Sequence, residues 1–429
     1  MSEGPRVAVV AAGAALEDWI PEELSFDEWL ETETGGWMFN YIDALTLAGV
    51  RSVVITHTEH VRTPELFTHR PTGAAVWAVP PVRTLDQVRE MERHPLTPIR
   101  QGNASDVVRG VRKRWVQYRT TSLRPLLQGI RRTGCDAILT QDYETSRFDA
   151  CVAMGRLTRL PVFGSFQGVA GTTNAFERRT RRAALAACSG LVIGAQVEID
   201  RVKRKYGIPE RKLAKIPNPL DTDLWRPGDR ARARADLGIP ADARMAISHG
   251  RIDIDGKGLD VLFDAWRRVA AGRAGEDLRL MLLGYGPDTA TVRQLIASED
   301  LRGAELKEYV VDQDVLRRHL SAADVFAFAG RYEGFPVAPT EAMACGLPVV
   351  ATAAAGITDI FERGEDAGGI VVAIDDAAGL ADGLGRLFDD SDLARELGAR
   401  ARRRVEEFCS LDAVGARLRD FMTERGMRA

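Results

Sequence analysis

Arg331-Tyr-Glu333-Gly-Phe-Pro-Val-Ala-Pro-Thr-Glu341-Ala-Met-Ala-Cys-Gly346-Leu-Pro348-Val-Val sets two carboxylates, with seven residues between them, around the start of a helix. Gly334 lets the backbone come close to a ligand, and Pro336 or Pro339 fits a first helical turn, where a missing N–H is harmless. Gly346 followed by Pro348 ends the helix, and Val349-Val350-Ala351 then reads as a buried strand. Free N–H groups at such a helix start attract an anion through hydrogen bonds and the helix dipole. An isolated pair of acids would read as a solvated loop and an exposed helix face; the residues around this pair change that reading.

Outward from this stretch, short β-branched runs alternate with longer amphipathic segments, the pattern of parallel sheets with crossover helices. Val7–Val10, Val53–Thr56, Ala137–Thr140, Pro161–Gly164 and Leu191–Ile193 read as core strands of a first half. Met245–Ser248, Leu280–Leu283, Asp324–Phe328 and Pro348–Ala351 do the same in a second. Between them, Ile216-Pro-Asn-Pro-Leu-Asp221-Thr-Asp-Leu-Trp225-Arg-Pro227-Gly228 is dense in turn formers and sustains neither a helix nor a strand. The expected fold class is α/β, with Rossmann-like domains at 1–217 and 230–408 and a linker and hinge at 218–229. Residues 409–429 carry a last helix, with apolar residues at helical spacing from Leu411 to Met422.

At 429 residues the chain is long enough for two cores. Its net charge of −3 gives no overall attraction to nucleic acid, and aromatic residues do not interleave its basic runs. Arg112-Lys-Arg114, Arg178-Arg179 with Arg181-Arg182, and Lys203-Arg-Lys205 read as solvated helix faces, with peripheral contact to an anionic inner-membrane face as the alternative. No run of eighteen apolar residues and no apolar leader occurs, which points to a cytoplasmic protein. Cys135, Cys151, Cys188, Cys345 and Cys409 are scattered and read as small core residues, and the six histidines do not suggest a metal site. His57 and His60 follow a strand and read as loop residues.

Gly250-Arg251 follows the Met245–Ser248 run, and Lys257-Gly258 precedes the helical Leu259–Val269. A strand leading through a glycine and two cations into a helix suits a diphosphate: Arg251 offers a fork of donors and Lys257 a mobile point charge. Gly284-Tyr-Gly286-Pro287 follows the next strand. Gln141-Asp142-Tyr143-Glu144 and Phe163-Gly-Ser-Phe166-Gln167-Gly168 stand at strand ends, where an α/β domain exposes residues to a cleft. The acids Asp142 and Glu144 either touch a second substrate or cap the helix that follows.

Taken together, these motifs resemble the retaining family-4 glycosyltransferases. The resemblance rests on Glu, seven residues and Glu before Ala-Met-Ala-x-Gly-x-Pro-Val-Val; on Gly-Arg, a spacer and Lys-Gly; and on Gly-x-Gly-Pro. It is strong over the second half and loose over the first, where Gly35-Gly36 resembles the family's glycine-rich loop. It implies a GT-B fold, two Rossmann-like domains facing across a cleft, with the acceptor on the first, the donor on the second, and the last helix crossing back onto the first. The implied reaction moves a hexosyl group from a nucleoside diphosphate sugar to an acceptor hydroxyl with retention. No cofactor beyond that co-substrate is implied and no metal is expected, although Asp253 and Asp255 form an Asp-x-Asp beside the cations.

By the same resemblance Arg251, Lys257 and Glu333 carry the catalysis. Gly36, Gly250, Gly284, Val310, Gly334, Phe335 and Glu341 would bind the donor, with Glu341 on the ribose. Gln167, Asp142 and Glu144 are the candidates for sugar or acceptor contact. The chain departs from the family at Gln167, where many members have a histidine, and at Pro336, Asp359 and Pro219. Gln167 hydrogen-bonds but cannot act as an acid or base. It is therefore the main argument for the alternative, a catalytically silent nucleotide-sugar-binding partner in a complex. The nucleotide base, sugar, acceptor and oligomeric state are not written in these motifs.

Overall fold

A computed structural model describes residues 4–11, 15–18, 20, 24–32, 36–81, 122–168, 175–298, 301–307 and 312–428. The chain divides into two compact units. The first comprises Met1–Ile193, Ile199–Ile216 and Val414–Ala429, and the second Gly194–Glu198 and Pro217–Ala413.

Among the described residues of the first unit, eight strands form one sheet: β1 (Arg6–Val10), β2 (Arg51–His57), β3 (Glu65–Thr68), β4 (Ala75–Val79), β5 (Ala137–Thr140), β6 (Val162–Ser165), β7 (Gly190–Ile193) and β8 (Leu213–Lys215). Their order is β3-β4-β2-β1-β5-β6-β7-β8, and only β3 runs antiparallel to its neighbour. The middle residues of the central strands, such as Val7–Val10, Val53–Ile55 and Ala137–Leu139, are apolar on both sides because both faces are covered. Val7 and Val9 join a cluster with Leu139 and Phe163, while Ala8 and Val10 join another with Ile138 on the opposite face.

The helix Leu411–Glu424 closes the first of these faces. Its Val414, Leu418 and Met422 recur every four residues and pack with Val7, Val9 and Val192. Each such burial stabilises by roughly 1.5–3 kcal/mol as an upper estimate. Gly415 permits the approach, since a Cβ there would stand 2.0 Å from the Ala44 carbonyl oxygen.

The second unit has, among its described residues, a six-stranded parallel sheet: β9 (Arg244–His249), β10 (Leu278–Leu283), β11 (Ala304–Lys307), β12 (Val325–Phe328), β13 (Val349–Thr352) and β14 (Gly369–Val372). Its order is β11-β10-β9-β12-β13-β14. Side chains alternate between two cores: Met245, Ile247 and Phe326 face one, and Ala246, Val325 and Ala327 the other. The chain leaves β9 toward one edge and returns through β12 toward the other. The gap between the carboxyl ends of β9 and β12 is therefore the topological switch point, where α/β sheets hold ligands.

The turn-rich segment read as a linker is built into the second unit. Leu220 and Trp225 are buried in its core. Arg402, on the helix Ser391–Phe408, donates to the carbonyls of Thr222 at 2.9 Å, Trp225 at 2.5 Å and Ala344 at 2.7 Å. One guanidinium thus satisfies carbonyls that turns leave unpaired. Asp229 caps the helix Arg230–Leu237, and Gly238 ends it in the left-handed conformation.

All five cysteines are free and buried. Among the described residues no helix is long and apolar enough to cross a membrane.

Candidate functional site

The helix Val337–Ala344 begins beside the switch point of the second sheet, with Pro336 at its N-cap and no side chain capping its first turn. Its N–H groups are therefore available to an anion. Ser248, His249, Gly250, Arg251, Lys257, Glu333, Val337 and Ala338 surround a cavity of about 70 Å³ at this helix start. A larger cavity, of 490 Å³, opens at the other end of the same strands, beside Arg244, Asp324 and Pro348. Amino ends of parallel strands are not where such sheets bind ligands, so the smaller cavity is the relevant one.

Lys257 and Glu333, far apart in sequence, meet here: Nζ lies 2.6 Å from Glu333 Oε1. Arg251 is turned outward and holds Asp253 at 2.9 Å, while Asp253 also accepts from the Gly256 N–H at 2.9 Å. Arg331 fixes this loop. It grips Asp260 with two donors at 2.9 and 2.7 Å, Asp375 at 2.6 Å and the Asp255 carbonyl at 2.8 Å.

The glycines explain themselves by contact. A Cβ on Gly284 would stand 1.8 Å from the Gly250 carbonyl oxygen, and one on Gly286 would stand 2.2 Å from that of Ile252. The Gly-x-Gly turn thus lies directly against the backbone that carries Arg251.

Glu341 is in the helix but behind its entrance. His249 Nε2 is 3.3 Å from Glu341 Oε2, and no hydrogen bond closes between them. Burial pushes the Glu341 carboxyl up to about 8. Burial also holds the His249 imidazole down to about 4, with Lys257 acting in the same direction against a backbone hydrogen bond at Ala338. Near neutral pH the two form an uncharged pair, and a protonated carboxyl both donates and accepts. The pairing was not visible in the motif. The available signal was that His249 closes β9 immediately before Gly250-Arg251.

Phe335 is buried, and its carbonyl accepts from Asn218 Nδ2 at 3.3 Å. Asp359, the departure from the family pattern, is buried with its carboxylate on the Gln196 N–H at 3.2 and 3.1 Å. Val310 and Gly35 lie outside the described residues, as do Arg112–Arg114; Gly36 opens the helix Gly36–Leu47. Among the described residues no three potential metal-ligating side chains of the His, Cys, Asp and Glu types come together.

In the first unit, Asp142 and Gln167 meet at the carboxyl ends of β5 and β6. The Gln167 N–H donates to Asp142 Oδ1 at 2.9 Å, and burial pushes the Asp142 carboxyl up to about 6. Asp142 holds φ of 53°, a left-handed conformation that costs a non-glycine residue energy and often marks functional sites. The Gln167 side chain also hydrogen-bonds the buried Tyr41 hydroxyl. Glu144 is differently placed. Burial alone would raise its carboxyl, but Tyr206, Arg201 and Lys205 all bond it and hold it below the usual range. Its side chain is 1% exposed, so the carboxylate is occupied internally. His57 is not a loop residue: it ends β2 and is buried.

The cations, the uncapped helix start and the Gly-x-Gly turn converge within one unit. Residues 243–390 match the family described as glycosyl transferases group 1. The matched segment runs from the start of β9 through the helix Ala377–Asp389 and includes Gly250, Arg251, Lys257, Gly284, Glu333 and Glu341. The chain is 32% identical over 245 residues to a D-inositol 3-phosphate glycosyltransferase of Xylanimonas cellulosilytica, covering 54% of this chain and 57% of the relative. The chain thus spans somewhat over half the length of that relative. Among solved structures it is similar to sucrose-phosphate synthase from Thermosynechococcus elongatus, with a TM-score of 0.70, 19% identity and 98% of each chain covered. An α,α-trehalose-phosphate synthase (UDP-forming) from Burkholderia xenovorans, in complex with glucose-6-phosphate, also gives 0.70, at 15% identity over 98% of this chain and 99% of that one. These likenesses give the fold: two parallel-sheet α/β units of the GT-B class.

Proposed function

We propose that the protein is a retaining glycosyltransferase that moves a hexosyl group from a nucleoside diphosphate sugar to an acceptor hydroxyl. The observation that carries this reading is the Lys257–Glu333 contact at the uncapped start of the helix Val337–Ala344, with Arg251 beside it. A cation, a hydroxyl-binding carboxylate and free backbone N–H groups are what a diphosphate joined to a sugar requires. The family match and the UDP-forming neighbour support the same donor class.

In this mechanism the diphosphate takes the N–H groups of the helix start and the charge of Lys257, with Arg251 swinging from Asp253 to assist. Glu333, freed from Lys257, accepts hydrogen bonds from sugar hydroxyls. The neutral Glu341 holds ribose hydroxyls. The bond from the anomeric carbon to the phosphate oxygen breaks, the acceptor oxygen bonds to the same face, and its proton passes to the departing phosphate. Charge stabilisation of the leaving group is the main task, and it needs no protein base at Gln167 and no resident metal. The acceptor belongs to the first unit, and a phosphate-bearing acceptor fits the relative named for inositol 3-phosphate and the neighbour bound to glucose-6-phosphate.

The test is nucleotide release from uridine, guanosine and thymidine diphosphate sugars, with and without a panel of free and phosphorylated polyols. Acceptor-dependent release with a product of unchanged anomeric configuration supports the proposal. Binding without turnover across the panel would point instead to a silent partner.

A further inference from the structure

Arg147 and His57, at the ligand-binding end of the first sheet, have surroundings that the donor site does not explain. Arg147, in the first turn of the helix Ser146–Thr158, is 8% exposed, and its guanidinium donates to one partner, the Ala11 carbonyl. No carboxylate among the described residues pairs with it. The contrast is Arg181, also buried, which meets Asp149 at 2.6 Å and the Tyr143 carbonyl at 2.9 Å. Glu17, the acid that meets the residues after His57, accepts at Oε1 from the Thr58 hydroxyl and from the Glu59 N–H at 3.0 Å, while its Oε2 is buried without a hydrogen-bond partner; it forms no ion pair with Arg147.

His57 is 7% exposed, and neither ring nitrogen has a hydrogen-bond partner. Burial, with the nearby Arg147 charge acting in the same direction, holds the ring down to about 3, so it is neutral and offers one donor and one acceptor. Buried polar groups are nearly always paired, and a buried charge without a counter-charge costs several kcal/mol. Two such groups side by side call for a missing partner.

Topology says where that partner sits. In the first sheet β1 lies between β2 and β5, and the chain proceeds from β1 toward β2 but later returns on the β5 side. This is the switch point of the first unit. His57 ends β2, Ala11 follows β1, and Arg147 follows β5, so all three stand at the carboxyl ends around it. The helix end is not itself the attraction, since the Thr145 hydroxyl already caps the Phe148 N–H. The guanidinium is: its planar fork matches an oxyanion in two parallel bonds, and the neutral imidazole adds a third donor.

We propose that Arg147 and His57 form an oxyanion-binding site at the carboxyl end of β1, which takes a phosphate or carboxylate group carried by the acceptor. The word acceptor rests on the function proposed above; the anion site does not. Arg147 and His57 belong to the first unit, whereas the donor residues named above, Gly36 and the undescribed Val310 aside, belong to the second.

The experiment is histidine-selective NMR on the full chain, with the His57 ring signals assigned by their loss in His57→Gln. Inorganic phosphate and acetate are titrated separately. A saturable shift of the His57 signals is expected, unchanged in Lys257→Met, weakened about tenfold or more in Arg147→Lys and absent in Arg147→Met. The remaining histidine signals report whether each variant is folded; if Arg147→Met is not, Arg147→Lys decides. Response to phosphate alone assigns a phosphate, and response to acetate alone a carboxylate. His57 signals unmoved by either anion, or moved equally in the folded Arg147 variants, would overturn the site. Because no turnover is read, loss of the transferase proposal leaves this result standing, and the reverse holds too.

Discussion

Lys257 Nζ stands 2.6 Å from Glu333 Oε1, so this cation and this carboxylate neutralise each other in the free protein. In the proposed mechanism a diphosphate draws Lys257 away, which leaves Glu333 ready for hydroxyl groups. Binding of the two halves of the donor is, in that mechanism, coupled through one ion pair.

Lys257→Ala is expected to lower donor kcat/KM by about 10²–10³-fold, the usual cost of losing one donor to developing charge. Glu333→Gln keeps the shape but removes the charge that steers both groups, and should also lower it. Steady-state kinetics on variants with wild-type circular dichroism check this. Wild-type donor kinetics in both would remove these residues from the site.

The Glu341 and His249 pair predicts opposite pH effects on stability. Glu341 keeps its proton up to about 8 when folded, against a usual 4.5, so its contribution is full at low pH and is lost as pH rises toward 8. His249 is held to about 4 against a usual 6.5, so its contribution is full above 6.5 and is lost as pH falls toward 4. Glu341→Gln should remove the alkaline slope, gaining on the order of 2–4 kcal/mol over wild type between about pH 5 and pH 8. Urea unfolding at both pH values measures it, and parallel slopes in variant and wild type would contradict it.

Gly284 has no room for a side chain, with φ of 159° and the Gly250 carbonyl oxygen 1.8 Å from a Cβ position. Gly284→Ala is expected to cost about 2–4 kcal/mol and to raise donor KM by displacing Gly250-Arg251. Gly275, with nothing within 4 Å of its Cβ position, is the control. Gly275→Ala should stay within about 0.5 kcal/mol.

Arg402→Ala strips the donor from the Thr222, Trp225 and Ala344 carbonyls. About 3 kcal/mol of stability should be lost in denaturant unfolding, since such groups cost about 1–3 kcal/mol when left unpaired. Lysine should rescue only part of it, because it lacks the fork. An unchanged midpoint would mean that the 217–229 segment is held without help from Arg402, by contacts such as buried Leu220 and Trp225 and the Asn218 bond to the Phe335 carbonyl.

The core of the fold was legible because central parallel strands are apolar on both faces. Val7–Val10 and Phe326–Phe328 announce themselves without any partner in view. Edge strands do not: β3 and β11 read Glu-Leu-Phe-Thr and Ala-Glu-Leu-Lys, half-exposed and polar. The motif helix was readable because a proline start and a glycine-proline end are local chemistry. Side-chain partnerships were not readable. Lys257 with Glu333, His249 with Glu341, and Arg147 with His57 each join different strand ends, so sequence distance carries no trace of them. Glu144 was misleading for the same reason: an acid at a strand end looks available until Arg201, Lys205 and Tyr206 arrive from a later helix.

The helix Leu411–Glu424 bears on the order in which the protein is made. Val414, Leu418 and Met422 complete a core begun by Val7 and Val9, with the whole second unit synthesised in between. During translation the first unit must wait with one apolar face of its sheet uncovered. A ribosome-bound chain ending at Ala413 should therefore recruit chaperones and bind hydrophobic dyes, and should lose both once residues 414–427 emerge.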